Sequence, residues 1–317
     1  MVPVRNPRVS VVIPSYNHAA FVGAAIQSVI AQTRRPHALL VIDDGSVDNS
    51  PQVIARELAA ASFPCELIVR RNRGLSATLN EGLDRTSGDY FAYLSSDDLW
   101  APDRLRRGIE ALERDPATVM AFGAGTIIDA FGKILSTWGS NYHRAVLTVD
   151  DLLRFRSIPL SSTVTYRRSA VESIRWNETS PMEDYEMYLR LAASGRFVYI
   201  EEPLGSWRMH ASNVSKDLPT MLHEALATQR RVASDIGVSD EELRSYAARV
   251  RFAYGGFFLQ AHAWRQGALL TLENLSGTPS ATALVRRLGR ILVPPALVSA
   301  RRALLDSLSR GIRRPLS

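Results

Sequence analysis

The stretch that decides the fold is Tyr-Phe-Ala-Tyr-Leu-Ser-Ser-Asp-Asp-Leu-Trp, residues 90–100. Its first five residues are apolar or aromatic, which is typical of a buried strand. Small polar residues and two adjacent carboxylates, Asp97 and Asp98, follow directly. A strand that ends in this way places its carboxylates at the carboxyl edge of a sheet, where open α/β folds bind ligands.

Two neighbouring acids repel each other, so we expect a positive group close to Asp97 and Asp98. Hard cations such as Mg²⁺ and Mn²⁺ take oxygen ligands and typically use one or two carboxylates together with substrate phosphates. The structural alternative is that the two acids only cap the helix predicted from Pro102 onward.

Three further strand-like segments precede this stretch, and each ends in polar or turn residues. They cover residues 9–13, 39–42 and 66–69, and segments with helical spacing over 21–32, 50–61 and 75–86 separate them. This alternation predicts a parallel sheet with helices on both faces. We therefore expect four loops to meet at one edge of the sheet.

The second half of the chain is less regular. Helices are predicted over 102–115, 150–155 and 181–192, and strands over 119–123, 126–128, 161–167 and 197–200. From residue 220 onward the pattern is almost entirely helical, with helices over 220–236 and 240–266 and then two basic amphipathic segments. The predicted class is α/β, with a domain over 1–215 and a helical region over 216–317.

The composition is that of an ordinary globular chain of about two domains. The 317 residues are 46% hydrophobic and 22% charged, which is enough apolar material for a sizeable core. The single cysteine, Cys65, excludes an internal disulfide and is typical of a reducing compartment. Residues 1–10 lack the apolar region of a signal peptide, and no run of about 18 apolar residues predicts a membrane span. The expected location is the cytoplasm.

Several motifs, taken in order, resemble glycosyltransferase family 2. The first are Val-Val-Ile-Pro-Ser-Tyr-Asn (11–17), Asp-Asp-Gly-Ser-Val-Asp (43–48), Asn-Arg-Gly-Leu-Ser (72–76) with Asn80, and Leu-Ser-Ser-Asp-Asp (94–98). Glu183-Asp184 before an apolar helix and Trp207-Arg208-Met209-His210 resemble later motifs. The resemblance covers about residues 8–215. It implies a GT-A (Rossmann-like) domain with a mixed central sheet, a nucleotide-binding half over 1–100 and an acceptor half over 101–215. It further implies a nucleotide-sugar donor, Mn²⁺ or Mg²⁺, and inversion at the anomeric carbon.

The early motifs are predicted to bind the nucleotide. The backbone after the first strand can pass close to it, and Tyr16 is available to stack on the base; the alternative is an ordinary β–α loop. By resemblance, either Asp43 or Asp44 contacts the base, although Asp44-Gly45 is also typical of a simple turn. The predicted nucleotide-binding residues are Pro14, Ser15, Tyr16, Asn17, Asp43, Asp44, Asn72, Asn80 and Asp97.

The metal ion is predicted at Asp98, Asp97 and His210, where it would neutralise the diphosphate leaving group as a Lewis acid. Many family members have an acid at the position of Ser95. Because this chain does not, the ion is expected to rest mainly on Asp98, with Asp97 nearer the ribose. For His210 the alternative is a structural or solvated histidine.

Asp184 is predicted to be the general base, because an inverting transfer needs a carboxylate that removes the proton of the acceptor hydroxyl. The alternative is that Glu183 and Asp184 only complement a helix N-terminus. Arg208, Glu183 and Trp100 are predicted at the diphosphate or the acceptor, and Arg208 is the diphosphate candidate. Trp100 and Trp207 either stack on sugar faces or lie in the core.

Leu79 stands where some members of the family carry an arginine. Phosphate neutralisation would then depend on cations that the neighbouring loop supplies, unless these are only solvated surface. The candidates are Arg70, Arg71 and Arg73.

The predicted function is transfer of a sugar from a UDP-sugar to an acceptor hydroxyl of a glycan or a lipid-linked sugar, as in bacterial surface-polysaccharide synthesis. One alternative is a nucleotidyltransferase, which would want a glycine-rich, lysine-containing phosphate loop that residues 14–18 do not offer. The other is a non-catalytic sugar-binding protein, which the presence of Asp98 and Asp184 disfavours.

The C-terminal tail carries the excess positive charge. The chain has a formal charge of +6, and residues 281–317 contain eight arginines and one acid, Asp306. In 284–292 an apolar face is predicted opposite Arg286, Arg287 and Arg290. A second segment after Pro294-Pro295 repeats this design, with apolar residues at 297, 304, 305, 308 and 312; Arg302, Arg310 and Arg313 lie away from that face and Arg301 lies near it.

Basic amphipathic helices of this kind can lie on an anionic membrane, so the tail predicts a peripheral membrane contact. The alternative is that the apolar faces dock on the protein itself or form a homodimer. Nucleic acid is not an expected partner, because no aromatic residues alternate with the arginines.

Overall fold

The computed structural model describes residues 7–139 and 147–293. Their strands are β1 (Val9–Ser15), β2 (Ala38–Asp43), β3 (Cys65–Val69), β4 (Tyr90–Tyr93), β5 (Leu99–Trp100), β6 (Thr118–Asp129), β7 (Ile134–Trp138), β8 (Thr165–Arg167) and β9 (Arg196–Met209). Their helices are α1 (Val22–Ile30), α2 (Ser50–Leu58), α3 (Leu75–Arg85), α4 (Arg104–Glu113), α5 (Val149–Leu153), α6 (Arg168–Ile174), α7 (Glu183–Ser194), α8 (Leu218–Val232), α9 (Asp240–Gln260), α10 (Trp264–Glu273) and α11 (Ala281–Leu292).

Within these residues, all nine strands belong to one sheet, in the order β3-β2-β1-β4-β8-β6-β9-β5 with β7 paired to β6. The first four strands are parallel, and Val11 of β1 pairs with Leu39 of β2 and Ala92 of β4. Since β8 then pairs antiparallel with both β4 and β6, the sheet is mixed. The predicted α/β class with a mixed central sheet is confirmed.

The two faces of the sheet are covered by different helices. On one face Val9, Val11 and Ile13 pack in a core cluster with residues of α1 and α4. On the other face α3 lies so close to β1 that a Cβ added at Gly82 would lie 2.6 Å from Cγ1 of Val12. This alternation along β1 follows from the two-residue period of a strand.

The second half differs from the predicted elements in one instructive way. Residues 118–129 form a single strand, and so do residues 196–209, although each was expected to be interrupted. The strand predicted over 197–200 continues through Glu201-Glu202-Pro203 to Met209. The register between β6 and β9 shifts on either side of Ala124, which pairs with Pro203. Such irregularities tolerate a proline that cannot donate to the ladder.

The described residues form two compact units, one containing 7–139, 147–216 and 227–237 and the other 217–226 and 238–293. The helical C-terminal region is confirmed in α9, α10 and α11. The helix predicted over 240–266 ends at Gln260, and α10 begins after His262, whose φ is +62°. No helix of the described residues is long and apolar enough to cross a membrane. The division of 1–215 into two functional halves stays a prediction.

Arg287 requires a correction to the predicted geometry of α11. Its Nη1 donates to the carbonyl oxygen of Phe252 at 2.7 Å, and its guanidinium lies 4.7 Å from the centre of the Phe252 ring. At about 100° per residue, Arg287 projects only about 40° from the buried Ile291, so it shares the docked side of the helix. The prediction that it points away with Arg286 and Arg290 is wrong. The second amphipathic segment lies outside the described residues.

Candidate active site

The loops that follow β1 and β2 are fastened to each other at the carboxyl edge of the sheet. The backbone N–H of Asn17 donates to Oγ of Ser46 at 2.8 Å, and Oδ1 of Asn17 accepts from the N–H of Val47 at 2.8 Å. Asn17 has φ of +53°, a region that asparagine tolerates better than most residues. Tyr16, next to it, is 47% exposed, so its ring is free to meet a ligand.

Asp43 and Asp44 have different partners although both are buried. The carboxylate of Asp43 accepts from the backbone N–H and the hydroxyl of Ser46, at 2.9 and 2.7 Å. The carboxylate of Asp44 accepts from the N–H groups of Arg73 and Gly74, at 2.9 and 2.8 Å. Asp43 therefore shapes its own turn, whereas Asp44 holds the loop after β3 against that turn.

Arg70 is paired within the protein. Its guanidinium contacts Asp44, lies 2.9 Å from Glu81 and donates to Thr78 at 2.8 Å. Asn72 is exposed and lies beside the same turn. A Cβ added at Gly45 would lie 2.9 Å from the backbone nitrogen of Asn72, so the two loops approach each other closely. Of the three arginines considered for phosphate contacts, Arg71 and Arg73 are the exposed ones.

Three side chains from separate parts of the chain meet after β4. They are His18 from the loop after β1, Asp97 from the loop after β4, and His210 directly after β9, and one candidate ligand atom of each lies within 4.8 Å of the others. Nε2 of His210 is 2.9 Å from Oδ2 of Asp97. This donor set of imidazole nitrogen and carboxylate oxygen fits a divalent cation of the Mn²⁺ or Zn²⁺ kind.

Asp98 is not part of this group. Its Oδ1 accepts the backbone N–H of Arg208 at 2.9 Å, which ties the loop after β4 to β9. Burial, followed by the charge of Asp97, raises the pKa of Asp98 well above its usual range, and the hydrogen bond from Arg208 only partly opposes this. Asp98 thus has a structural partner, and Asp97 is the carboxylate that faces the imidazoles.

The guanidinium of Arg208 contacts main-chain carbonyl groups. Its Nε donates to the carbonyl oxygen of Asp97 at 2.7 Å, and Nη1 lies 3.3 and 3.2 Å from the carbonyl oxygens of Asp129 and Ala130. It also lies 5.2 Å from the centre of the Phe21 ring. These contacts hold the loop that carries Asp97 in place. Its contact with a diphosphate stays a prediction.

Glu183 and Asp184 begin α7 beside the central strand β4. Oε1 of Glu183 is 3.5 Å from the hydroxyl of Tyr93, and Oδ1 of Asp184 accepts the N–H of Tyr185 at 2.7 Å. Burial raises the pKa of both carboxyls, and the charge of Asp184 adds to the effect on Glu183. A carboxylate whose pKa approaches neutrality is suited to act as a general base.

Asn80 and Trp100, two of the predicted residues, are buried. Trp100 is only 5% exposed, belongs to the core cluster and lies under the guanidinium of Arg104 at 3.8 Å. Asn80 is buried and bonds both the N–H and the carbonyl oxygen of Trp176, at 3.0 and 2.9 Å. Trp207 pairs with Trp138 on β7 at 6.5 Å between ring centres. Contacts of Asn80 and Trp100 with a donor or an acceptor stay predictions.

His18 is the site residue that the sequence analysis missed. Nδ1 of His18 is 2.8 Å from Oγ of Ser96, and its backbone N–H donates to Ser50 at 3.0 Å. Burial is the largest cause that lowers its pKa below the usual value. The available signal was its place immediately after Pro-Ser-Tyr-Asn at the end of β1, at the same sheet edge as Asp97. The chain has only six histidines, so one at that edge was informative.

Comparison with known proteins matches this arrangement to one family. The model of the family "Glycosyl transferase family 2" matches residues 10–175, which include the first four strands and their loops. The chain belongs to glycosyl transferase family 2. The predicted membership is confirmed.

Relatives of this family 2 chain come from several bacteria. An uncharacterised glycosyltransferase of Nostoc sp. is 28% identical over 222 residues, which are 65% of this chain and 66% of that protein. Chondroitin synthase of Escherichia coli is 26% identical over 222 residues, or 67% of this chain and 30% of that protein. For the first three relatives, the match spans 66%, 31% and 60% of their length.

Solved structures show the same fold at low sequence identity. A mannosyltransferase of Pyrobaculum calidifontis in complex with GDP-Man and Mn²⁺ matches with a TM-score of 0.62 and 17% identity, over 95% of this chain and 81% of that one. S. aureus TarS 1–349 in complex with UDP-GlcNAc matches with a TM-score of 0.55 and 14% identity, over 89% and 92%. The family 2 chain therefore has the GT-A fold that the resemblance implied.

Proposed function

We propose that this family 2 chain is a metal-dependent inverting glycosyltransferase that moves a sugar from a nucleotide-sugar to an acceptor hydroxyl. The observation that carries the proposal is the convergence of the loops after β1, β2 and β3 with the His18, Asp97 and His210 group at one sheet edge. Structural neighbours were solved with GDP-Man and with UDP-GlcNAc. Of these donor classes we propose a UDP-sugar.

The donor's parts have matching partners in this proposal. Tyr16 would stack on the base from its exposed position, and the exposed Asn72 and the turn of Asp43 and Asp44 would line the nucleotide. Asp97 and His210 would hold a divalent cation, rather than Asp98, because Asp98 is bonded to the backbone of Arg208. Such an ion, when bound, neutralises negative charge on a diphosphate leaving group.

Asp184 would act as the general base. It would accept the proton of the acceptor hydroxyl while that oxygen forms its bond to the anomeric carbon and the bond to the diphosphate breaks. The pKa of Asp184, which burial raises, suits this role, and Tyr93 links the neighbouring Glu183 to the central strand. The acceptor would be a glycan or a lipid-linked sugar, used at the cytoplasmic face of a membrane.

The test is donor consumption by the full chain. We expect Mn²⁺-dependent binding of one nucleotide-sugar in a thermal-shift panel of UDP- and GDP-sugars. When a verified acceptor is added, we expect the nucleoside diphosphate of that donor to be released as the sugar is transferred. The Asp184→Asn variant should bind the donor as the parent does and lose about 10²-fold or more in turnover. Binding without any turnover in the parent would instead support the non-catalytic alternative.

A further inference from the structure

The group formed by His18, Asp97 and His210 offers two imidazole nitrogens and one carboxylate oxygen as candidate metal ligands. A site built from the neighbouring Asp97 and Asp98 would offer only carboxylate oxygens. The ring centres of His18 and His210 are 5.5 Å apart, and the rings are nearly perpendicular at 87°. One candidate ligand atom of each of the three residues lies within 4.8 Å of the others. Two imidazoles therefore approach a single carboxylate from different directions.

Each imidazole has a serine hydroxyl within hydrogen-bond distance of its Nδ1. Nδ1 of His18 is 2.8 Å from Oγ of Ser96, and Nδ1 of His210 is 2.9 Å from Oγ of Ser212. Histidines that bind metals usually make such a bond through the second ring nitrogen, which fixes the tautomer and the ring orientation. In the metal-bound state, Nδ1 of each ring would donate to its serine hydroxyl, and Nε2 of each ring would supply the lone pair that a cation needs.

Nε2 of His18 has no hydrogen-bond partner among residues 7–139 and 147–293. Nε2 of His210 is 2.9 Å from Oδ2 of Asp97, a contact that requires a shared proton in the metal-free protein. A cation would take the place of that proton. The backbone of the His18 loop is fixed on both sides, because Ser50 accepts from the His18 N–H and Asp48 accepts from the Ala19 N–H.

We propose that His18 is a third protein ligand of the divalent cation, so that two imidazoles and one carboxylate hold the ion and favour a transition metal over Mg²⁺. Magnesium prefers oxygen ligands and near-ideal octahedral geometry, whereas imidazole suits the transition metals and zinc. The structural alternative is that His18 only packs on Phe21, whose ring centre lies 6.0 Å away. The proposal rests on the proposed function only for the use of the ion.

The test is Mn²⁺ binding to the full chain without nucleotide or acceptor, measured by electron paramagnetic resonance. Spin-echo modulation counts the ¹⁴N nuclei bound to Mn²⁺, and we expect two imidazole nitrogens in the parent and one in His18→Ala. The dissociation constant for Mn²⁺ should rise by about tenfold or more in His18→Ala, while that for Mg²⁺ changes less. Ser96→Ala should give a smaller rise. His37→Ala, at an exposed histidine, is the matched control and should behave as the parent.

His18→Gln guards against a folding defect, because its amide can still bond Ser96 but does not supply an imidazole ligand. If His18→Ala loses its thermal transition, the nitrogen count of His18→Gln decides. One nitrogen or none in the parent, or two retained in either His18 variant, would overturn the proposal. Two nitrogens in a parent that transfers no sugar would leave this proposal standing and remove the proposed function. Sugar transfer by a parent whose Mn²⁺ binds only one imidazole nitrogen would support the proposed function and overturn the proposal on His18.

Discussion

At the scale of single residues, Asp97 and Asp98 are neighbours in the sequence but have different surroundings. Asp97 faces His210, and Asp98 accepts the backbone N–H of Arg208. Both lie in the turn between β4 and β5, where the N–H of Asp98 donates to the carbonyl oxygen of Ser95 at 3.0 Å, and within this turn the two carboxylates contact different groups at the end of β9. The pair therefore combines a ligand candidate with a structural contact.

We expect Asp97→Asn to weaken Mn²⁺ binding by about tenfold or more and Asp98→Asn to leave it near that of the parent. Equal Mn²⁺ affinity of Asp97→Asn and the parent would contradict the assignment.

The pKa of Asp98 is raised in the folded chain, so its ionisation lowers stability once the pH exceeds the usual aspartate value near 4. Without metal, the Tm of the parent should therefore fall relative to that of Asp98→Asn between about pH 5 and pH 8. Calorimetric scans at the two pH values measure this difference.

The activity should also depend on the pH through Asp184. Burial raises the pKa of this carboxyl to about 6, and only the ionised form can accept a proton. We therefore expect kcat/KM to be constant above that pH and to fall about tenfold per unit below it. A pH–rate profile with saturating Mn²⁺ measures this. A profile that stays flat down to about pH 4 would show that another group is the base.

At the scale of elements, the close packing of α3 on β1 positions the loop that Asp44 holds. A Cβ at Gly82 would lie 2.6 and 2.7 Å from the two methyl carbons of Val12, so a larger side chain must separate the helix from the strand. Gly82→Ala should lower the free energy of unfolding by about 1–3 kcal/mol. In α11, a Cβ added at Gly289 would have no atom of the described residues within 4 Å, apart from the nearby backbone of the helix itself.

Gly289→Ala is therefore the matched control for Gly82→Ala. Alanine is the better helix former, so this variant should be neutral or more stable by up to about 1 kcal/mol. Urea titrations followed by circular dichroism compare the two variants with the parent. Equal effects of both substitutions would show that helix propensity, and not the contact with Val12, governs the response at Gly82.

At the scale of the whole molecule, the tail arginines are the part of the sequence that family membership leaves unexplained. We expect Arg302→Ser with Arg313→Ser to weaken binding of the full chain to anionic vesicles by about thirtyfold, since each basic residue near such a surface contributes about 1 kcal/mol. The control is Arg35→Ser with Arg114→Ser, at exposed arginines of the compact unit that contains residues 7–139. It removes the same charge and should have little effect on vesicle binding. Co-sedimentation with anionic and neutral vesicles measures both. Equal, negligible pelleting of the parent with either lipid would contradict the membrane contact.

The sequence alone determined the alternation of strands and helices over the first hundred residues, because the periods of their apolar side chains are local properties. It also determined the family, since the motifs after β1, β2 and β4 are contiguous in the chain. The charge of the tail followed from a count of residues.

The resemblance had already implied that Asp97 and His210 lie together, but only the tertiary structure decided which other distant residues meet. His18 and His210 reach Asp97 because β1 pairs with β4 and β9 returns beside β6, and sequence spacing does not encode such long-range pairings. Arg287 was predicted on the solvent side of α11, yet it contacts Phe252, because room beside Gly256 lets its guanidinium reach a backbone carbonyl. Glu201-Glu202-Pro203 continues β9 because a parallel partner and a shift in register accommodate a proline that locally favours a loop. In each case the deciding contact is made with a segment remote in sequence, and the local period of apolar side chains carries no information about such a contact.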